Sequence, residues 1–453
     1  MPGDIFPSPG VNIIGHVSGN LGLGVLARHT VSVLLSRGCP VQILDVDPKF
    51  GRTGHDLRFA EFTVGSVREL VHPVTLLIFP PISIIAFLKD PANRDLLFRR
   101  HGLNAALMNW EQMVVPATWK PILGGLDAIV APSAFTRETF EQALPDVPVL
   151  VTRVPFQMPD TMVTPNRARF GLQPNRVWFG SSFEPHSDFE RKNPFAVLDA
   201  FERAFPSRGD VGLGIKVNNP TADDQQSILM RELRTRCQGD RRIRLFEQSL
   251  NYESVLSLYA SLDVYVSLHR AEGIGLGLME AMSLGKPVIA TGWSGNMSFM
   301  DRTNSCPVTY SLVPVRGRTY VYSAEVLGPR AVWANPDVVN AADWMRLLVE
   351  RPDIRAAIGS NARESMGRYQ EDARRAVFLD ELRLILDSEV SWGIGELRRK
   401  ARRDRLARAI GEEAPPERTR FGSAWMRRAL SLARNAGFRR RSPYWSPPPR
   451  SRP

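Results

Sequence analysis

Cysteine is scarce in this chain: three in 453 residues, at Cys39, Cys237 and Cys306. They stand too far apart for a disulfide framework or a zinc-ligand spacing, and they fit a reducing, cytoplasmic location. Long apolar runs are lacking as well. The longest, VTLLIFPPISIIAFL, covers 15 residues and holds two prolines, so it cannot cross a bilayer as a helix. The opening MPGDIFPSPG has no apolar core of the kind a secretory signal needs. What is present, 43% hydrophobic and 23% charged residues, is ordinary for a soluble globular protein.

The body of the chain also lacks a charge excess. The net charge is +11, but 17 of the 58 basic and 5 of the 47 acidic residues lie in 396–453, leaving 41 against 42 elsewhere. Only the tail is basic. A basic groove running across the fold is therefore excluded, and we expect no nucleic-acid partner.

A chain of 453 residues exceeds one ordinary core, and its pattern falls into two series of apolar runs alternating with helical periods. In the first, VNIIGH (11–16) reads as a strand, 22–38 as an amphipathic helix that Gly38 closes, and VQILDV (41–46) as the next strand. Further runs follow at TLLIF, AALMNW, LDAIVAPS and VPVLVTRVPF. A polar stretch from Thr164 to Asn175 reads as a linker. The second series runs from RVWFGSSF through VGLGIKV, RIRLFE and DVYVSLH to PVIAT, with helices between. Two doubly wound α/β units result, with ligands expected beyond the carboxyl ends of the strands. We place the first domain at 1–165, the second at 166–375, a terminal helix packing back toward the first domain at 376–395, and a tail at 396–453.

Beyond the strand DVYVSLH stands HRAEGIGLGLMEAMSLGKPVIAT, with Glu272 in the loop and Glu280 eight residues on. Gly273, Gly275 and Gly277 open the helix that carries Glu280; such a start offers free backbone N–H groups and room for a phosphate. Glu272 would present acceptors to sugar hydroxyls, and Glu280, about two turns on, would reach a ribose. A diphosphate leaving group needs waiting cations, and Arg191, Lys192 and Lys216 sit before a helix and at a strand end. His16, at the end of the first strand, is a candidate group on the acceptor side.

This motif resembles the nucleotide-sugar motif of retaining family 4 glycosyltransferases, whose architecture is GT-B: two Rossmann-like domains facing a cleft. Thr291-Gly292-Trp293-Ser294-Gly295-Asn296 matches the family's following turn, and FERKNP its Arg/Lys-Asn-Pro segment. The resemblance spans roughly 10–390. It implies that Glu272 contacts the donor sugar and Glu280 the ribose, with Gly273, Ile274 and Gly275 lining the donor. It implies further that Gly19, in GHVSGNLGLGVLAR, lets the chain approach the diphosphate, and that Glu111, in MNWEQ, orients the acceptor hydroxyl. One departure stands out: many members carry Gly-Arg where this chain reads Gly180-Ser181-Ser182-Phe183.

The implied activity is metal-independent transfer of a hexosyl group, mannosyl by family habit, with retention, from a nucleotide-diphosphate sugar to a glycan, lipid-linked or other hydroxyl acceptor. Cell-envelope or exopolysaccharide synthesis is the expected setting, and no cofactor beyond the donor is expected. A sugar synthase or phosphorylase, and a catalytically silent scaffold, are the alternatives. Two decoys are set aside. Gly22-x-Gly24-x-x-Ala27 with Asp45 imitates a dinucleotide fingerprint but begins five residues too late. Asp45-Val46-Asp47 imitates a metal-binding D-x-D. In the tail, Phe421, Trp425, Ala429, Leu432 and Ala436 share one helical face opposite Arg427 and Arg434, which suits an anionic membrane surface and a peripheral location on its inner face.

Overall fold

The computed structural model describes residues 10–50, 55–90, 93, 102–159, 162–218, 224–317 and 319–392. The tail, with the helical face expected there, lies outside the described residues. Within them the fold is α/β, with two parallel six-stranded sheets in one compact unit.

The first sheet comprises β1 (Val11–Gly15), β2 (Val41–Asp45), β3 (Val74–Ile78), β4 (Leu103–Leu107), β5 (Ala128–Ala131) and β6 (Val149–Val151), in spatial order β2-β1-β3-β4-β5-β6. Every residue of β1, β3 and β4 is buried, as expected for parallel strands covered by crossover helices on both faces. Helix α1 (Gly22–Ser36) returns the chain from β1 to β2. Pro80 and Pro81 divide the longest apolar run into β3 and helix α2 (Pro81–Lys89); proline suits the first helical position and cannot serve mid-helix. Helix α3 (Ala134–Ala143) follows β5, capped by the Ser133 hydroxyl, which accepts from the Thr136 N–H.

The second sheet comprises β7 (Val177–Phe183), β8 (Val211–Val217), β9 (Ile243–Phe246), β10 (Val264–Ser267), β11 (Val288–Thr291) and β12 (Cys306–Val308), in order β12-β11-β10-β7-β8-β9. Between these strands run α4 (Phe189–Lys192), α5 (Pro194–Ala204), α6 (Asp224–Gly239), α7 (Tyr252–Ser261) and α8 (Leu276–Ser283). Both sheets reverse their strand order, the first between β1 and β3 and the second between β10 and β7, and such a switch point opens a crevice at the strand carboxyl ends. The chain closes with α9 (Val338–Glu350), α10 (Pro352–Arg374) and α11 (Val377–Trp392). Phe378, Leu379 and Leu382 of α11 join the buried cluster that holds Val33 and Leu34 of α1, and Arg37 pairs with Asp380 at 3.3 Å. Among the described residues no helix is long and apolar enough to cross a membrane.

Two features differ from the sequence reading. The stretch expected as a linker is pinned to the second sheet: Phe170 and Leu172 are buried, the Asn166 N–H donates to Ser261, and Arg167 pairs with Asp263 at 2.6 Å. Its polar residues conceal two large apolar anchors. A hairpin also appears where no strands were expected, β13 (Tyr310–Pro314) against β14 (Val332–Pro336). The segment between its strands carries Tyr322 and Leu327 into the buried cluster of the first sheet, where Trp333 of β14 also packs with Trp110 and Trp119.

Candidate active site

Strand β10 delivers the chain to Glu272 through a loop whose shape is fixed on both sides. The Glu272 N–H donates to the Ser294 hydroxyl at 2.8 Å, and the Glu272 carbonyl accepts from the Gly295 N–H at 2.8 Å. Position 295 admits no side chain, because a Cβ there would lie 1.9 Å from the Gly273 carbonyl oxygen. Gly275 takes φ +89 at the start of α8, a left-handed conformation that glycine adopts without strain.

The cations come from α4, a single turn held between two residues with positive φ, Asp188 (φ 73) and Asn193 (φ 51). Asp188 caps the turn by accepting from the Arg191 N–H at 3.1 Å, and Asn193 donates to the Leu268 carbonyl at 2.9 Å. The Arg270 N–H donates to the Arg191 carbonyl at 2.7 Å, binding the turn to the glutamate loop. Of four non-glycine residues with positive φ among those described, Asp188, Asn193 and Ser294 surround this loop. Such conformations cost roughly 1–3 kcal/mol each and persist where the surroundings over-determine them.

The result is a fixed ion cluster. Lys192 Nζ bonds Glu272 Oε1, and Arg191 Nη1 lies 3.5 Å from the same oxygen. Burial raises the Glu272 carboxyl, but Lys192 and then Arg191 outweigh it and bring the pKa down to about 2. Arg191 is itself buried. It donates to the Ala271 and Ser187 carbonyls and reaches across to Glu111 at 3.7 Å. Burial opposes its charge, but Tyr322, Glu111 and Glu272 more than offset that and keep the guanidinium protonated. Glu111 in turn accepts from the Tyr322 hydroxyl at 2.7 Å.

Glu280 is buried on α8 beside Tyr252. Burial lifts its carboxyl to about 8, and Tyr252 offsets only part of the rise. Gly277, one turn earlier, lies against tyrosines of the same layer: a Cβ there would stand 2.8 Å from the Tyr265 hydroxyl.

The remaining candidates lie apart from the ion cluster. Lys216, at the end of β8 and in register with Ser182, is buried with its amine on the Val217 carbonyl at 2.6 Å; burial lowers its pKa to about 8, against the pull of Glu184. Gly19 sits where a Cβ would meet the Leu21 side chain at 2.4 Å and the Asp47 carboxylate at 2.7 Å, so a larger residue would have to displace them. His16 Nδ1 bonds Asp47 at 2.9 Å, and His55 lies 3.2 Å from the other oxygen of Asp47. Asp45 accepts from the N–H groups of Ser18 and Asp47. The fold thus brings together Glu272, Lys192, Arg191 and Glu111, with Gly273 placed by its neighbours against Asn109 and Trp110 of the first sheet. Sequence reasoning missed Asp188, Ser294 and Tyr322. Ser294 stood inside a recognised motif, whereas Tyr322 carried no local signal.

Residues 196–314, about a quarter of the chain, match the family model described as Glycosyl transferases group 1. No curated protein matches the chain. Solved structures share the fold. Anabaena Alr3699/HepE, solved with UDP and glucose, has TM-score 0.53 and 13% identity, over 84% of this chain and all of that one. Sucrose-phosphate synthase from Thermosynechococcus elongatus has TM-score 0.57 and 14% identity, again over 84% of this chain and all of that one. Against the pneumococcal O-GlcNAc transferase GtfA the alignment has TM-score 0.48 and 12% identity, and covers 69% of this chain and 57% of that one. The architecture is GT-B: two Rossmann-like units with the glutamate loop and the Trp-Glu segment facing each other.

Proposed function

We propose that the chain transfers a glycosyl group, with retention of configuration, from a nucleotide-diphosphate sugar to an acceptor hydroxyl. The observation that carries this reading is the Glu272–Lys192 pair beyond β10, with Glu280 buried on the helix that follows. Glu272, kept ionised, accepts hydrogen bonds from the donor sugar's hydroxyls. Lys192 is placed to meet the developing charge of the diphosphate, and Glu280 accepts from the ribose. The bond from the acceptor oxygen to the anomeric carbon forms on the face where the bond to the diphosphate breaks. The acceptor proton passes to a leaving-group oxygen, so positioning and charge stabilisation are the protein's share. Glu111 orients the acceptor hydroxyl, and Lys216 backs the diphosphate where the Gly-Arg pair is missing.

The reading extends to a hexosyl donor, to metal-independent turnover and to a glycan or lipid-linked acceptor in envelope or exopolysaccharide synthesis. Residues 396–453 then bring the enzyme to an anionic membrane, which vesicles with and without anionic lipid test on the full chain and on a chain ending at 395. The decisive experiment is nucleoside-diphosphate release from a panel of nucleotide sugars, with and without chelator. Release from one donor, unaffected by chelator and lost in Glu272→Ala and Lys192→Ala, is expected. Failure to bind any donor would overturn the reading, and transfer to free phosphate or to a sugar phosphate would replace it with a phosphorylase or a synthase.

A further inference from the structure

We propose that Tyr322 is a positioning residue for the acceptor carboxylate Glu111, supplied by the hairpin segment of the donor-side unit; the inference rests on the glycosyl-transfer reading above. The segment between β13 and β14 leaves its hairpin and buries Tyr322 and Leu327, with Trp333 of β14 beside them, in the cluster that holds Trp110, Val115 and Trp119. The Tyr322 ring stacks on Trp110 with centroids 6.0 Å apart and planes 14° from parallel, with Trp333 at 6.2 Å and the Arg191 guanidinium over the ring at 5.4 Å. So held, its hydroxyl donates to Glu111 Oε2 at 2.7 Å. The other carboxylate oxygen faces Arg191 Nη2 at 3.7 Å, while Nη1 of the same guanidinium lies 3.5 Å from Glu272. The planar fork of Arg191 therefore sets the separation of the two carboxylates, one from each sheet. Tyr322 fixes the rotation of the one that faces the acceptor.

The segment is secured for this task on a second side. Thr319 donates to Asp188 Oδ2 twice, from its N–H at 3.1 Å and from its hydroxyl at 2.8 Å, and Asp188 is the residue that caps the turn bearing Arg191 and Lys192. Gly317 closes the turn: its N–H donates to the Tyr322 carbonyl at 3.1 Å, and a Cβ there would stand 2.4 Å from the Tyr322 Cβ and 3.0 Å from Asp188. Among the described residues, the segment's side-chain hydrogen bonds to the rest of the fold thus end on the cation turn and on Glu111. Burial keeps the Tyr322 hydroxyl protonated, its pKa well above the usual phenol value, so it remains a donor to Glu111.

The test uses the full chain and the nucleotide sugar that the wild type turns over best, with water and with glycerol as acceptor hydroxyls. Tyr322→Phe keeps the stacked ring and removes one hydrogen bond to a charged group. Its kcat should fall about tenfold while the donor KM stays within about twofold. Glu111→Gln should lower kcat at least as far, and the double variant no further than Glu111→Gln alone, because the phenol acts through the carboxylate. A wild-type kcat in Tyr322→Phe, a loss that multiplies with that of Glu111→Gln, or a change confined to KM would each overturn the proposal. A second variant, Gly317→Ala, which disturbs the turn that holds Tyr322, should lower kcat at least as far as Tyr322→Phe, and wild-type kcat there would count against it. If the wild type releases nucleoside diphosphate from no donor, the glycosyl-transfer reading falls and this inference with it. Loss of the effect on an active wild type overturns the inference alone.

Discussion

Glu272 and Glu280 are the same residue type, both buried, eight positions apart, yet one carboxyl is brought to about 2 and the other lifted to about 8. Desolvation acts on both in the same direction. The difference lies in what faces them: Lys192, Arg191 and His269 around the first, the neutral phenols of Tyr252, Tyr259 and Tyr265 around the second. Burial alone therefore does not assign a carboxylate its charge; the neighbours do. Lys192 and Arg191 keep Glu272 ionised, whereas burial favours the protonated form of Glu280 at neutral pH.

The largest break in this contrast is Glu272→Gln, which leaves Lys192 and Arg191 facing a neutral amide. We expect nucleoside-diphosphate release to fall by about 10²–10³ in steady-state assays, the loss typical of a preorganised charge-stabilising group. Next in size is the pH dependence of donor binding. Free Glu280 binds a proton below about 8, and on the proposed ribose contact the complex needs the carboxylate, so donor binding is expected to release that proton. Donor affinity should rise about tenfold per pH unit on approach to that value and level off above it, as calorimetry in two buffers of different ionisation enthalpy would show. Glu280→Gln should abolish that slope and weaken donor binding about tenfold at pH near 8. Smallest is Tyr252→Phe. The phenol lowers the Glu280 carboxyl, so its removal should move the midpoint of the binding profile upward without changing the plateau affinity more than about twofold.

The same values fix the sign of stability against pH. For Glu280, with its folded value raised above the ordinary 4.5, the contribution is full below 4.5 and is lost as pH rises through about 8. For Glu272, depressed to about 2, the contribution is present above 4.5 and is lost as pH falls toward about 2. Chemical denaturation across that range in Glu272→Gln and Glu280→Gln would separate the two, each variant losing one limb.

Much of this was legible in the chain because parallel strands buried on both faces leave continuous apolar runs. VNIIG, VTLLI and VGLGIKV name their own strands, and the glycines at 273 and 275 announce a helix start beyond one of them. Lys192 and Arg191 were legible for the same reason, as cations directly before a helix that begins with proline. The segment 164–175 misled because polar residues outnumber the two that anchor it, Phe170 and Leu172. The hairpin strand YSLVP turns only Val313 toward the core and leaves its other residues exposed, so it has no apolar period to stand out beside the long runs. Arg191 looked like Lys192's twin in sequence. In space its guanidinium is occupied by two carbonyls and two carboxylates, while Lys192 is half-exposed and bonded to Glu272.

The sequence by itself determined the two α/β units, the positions of their crevice-facing ends and the residue types that wait there, because periodicity and glycine placement are local properties of a chain. Tertiary structure alone decided which carboxylate the cations hold ionised, which cation keeps a partly exposed side chain, and that Tyr322 bonds Glu111 while Asp188 caps the cation turn. Those depend on distances between residues as far apart as Glu111 and Tyr322, and on the dielectric that their packing creates, neither of which is written in any short stretch of sequence.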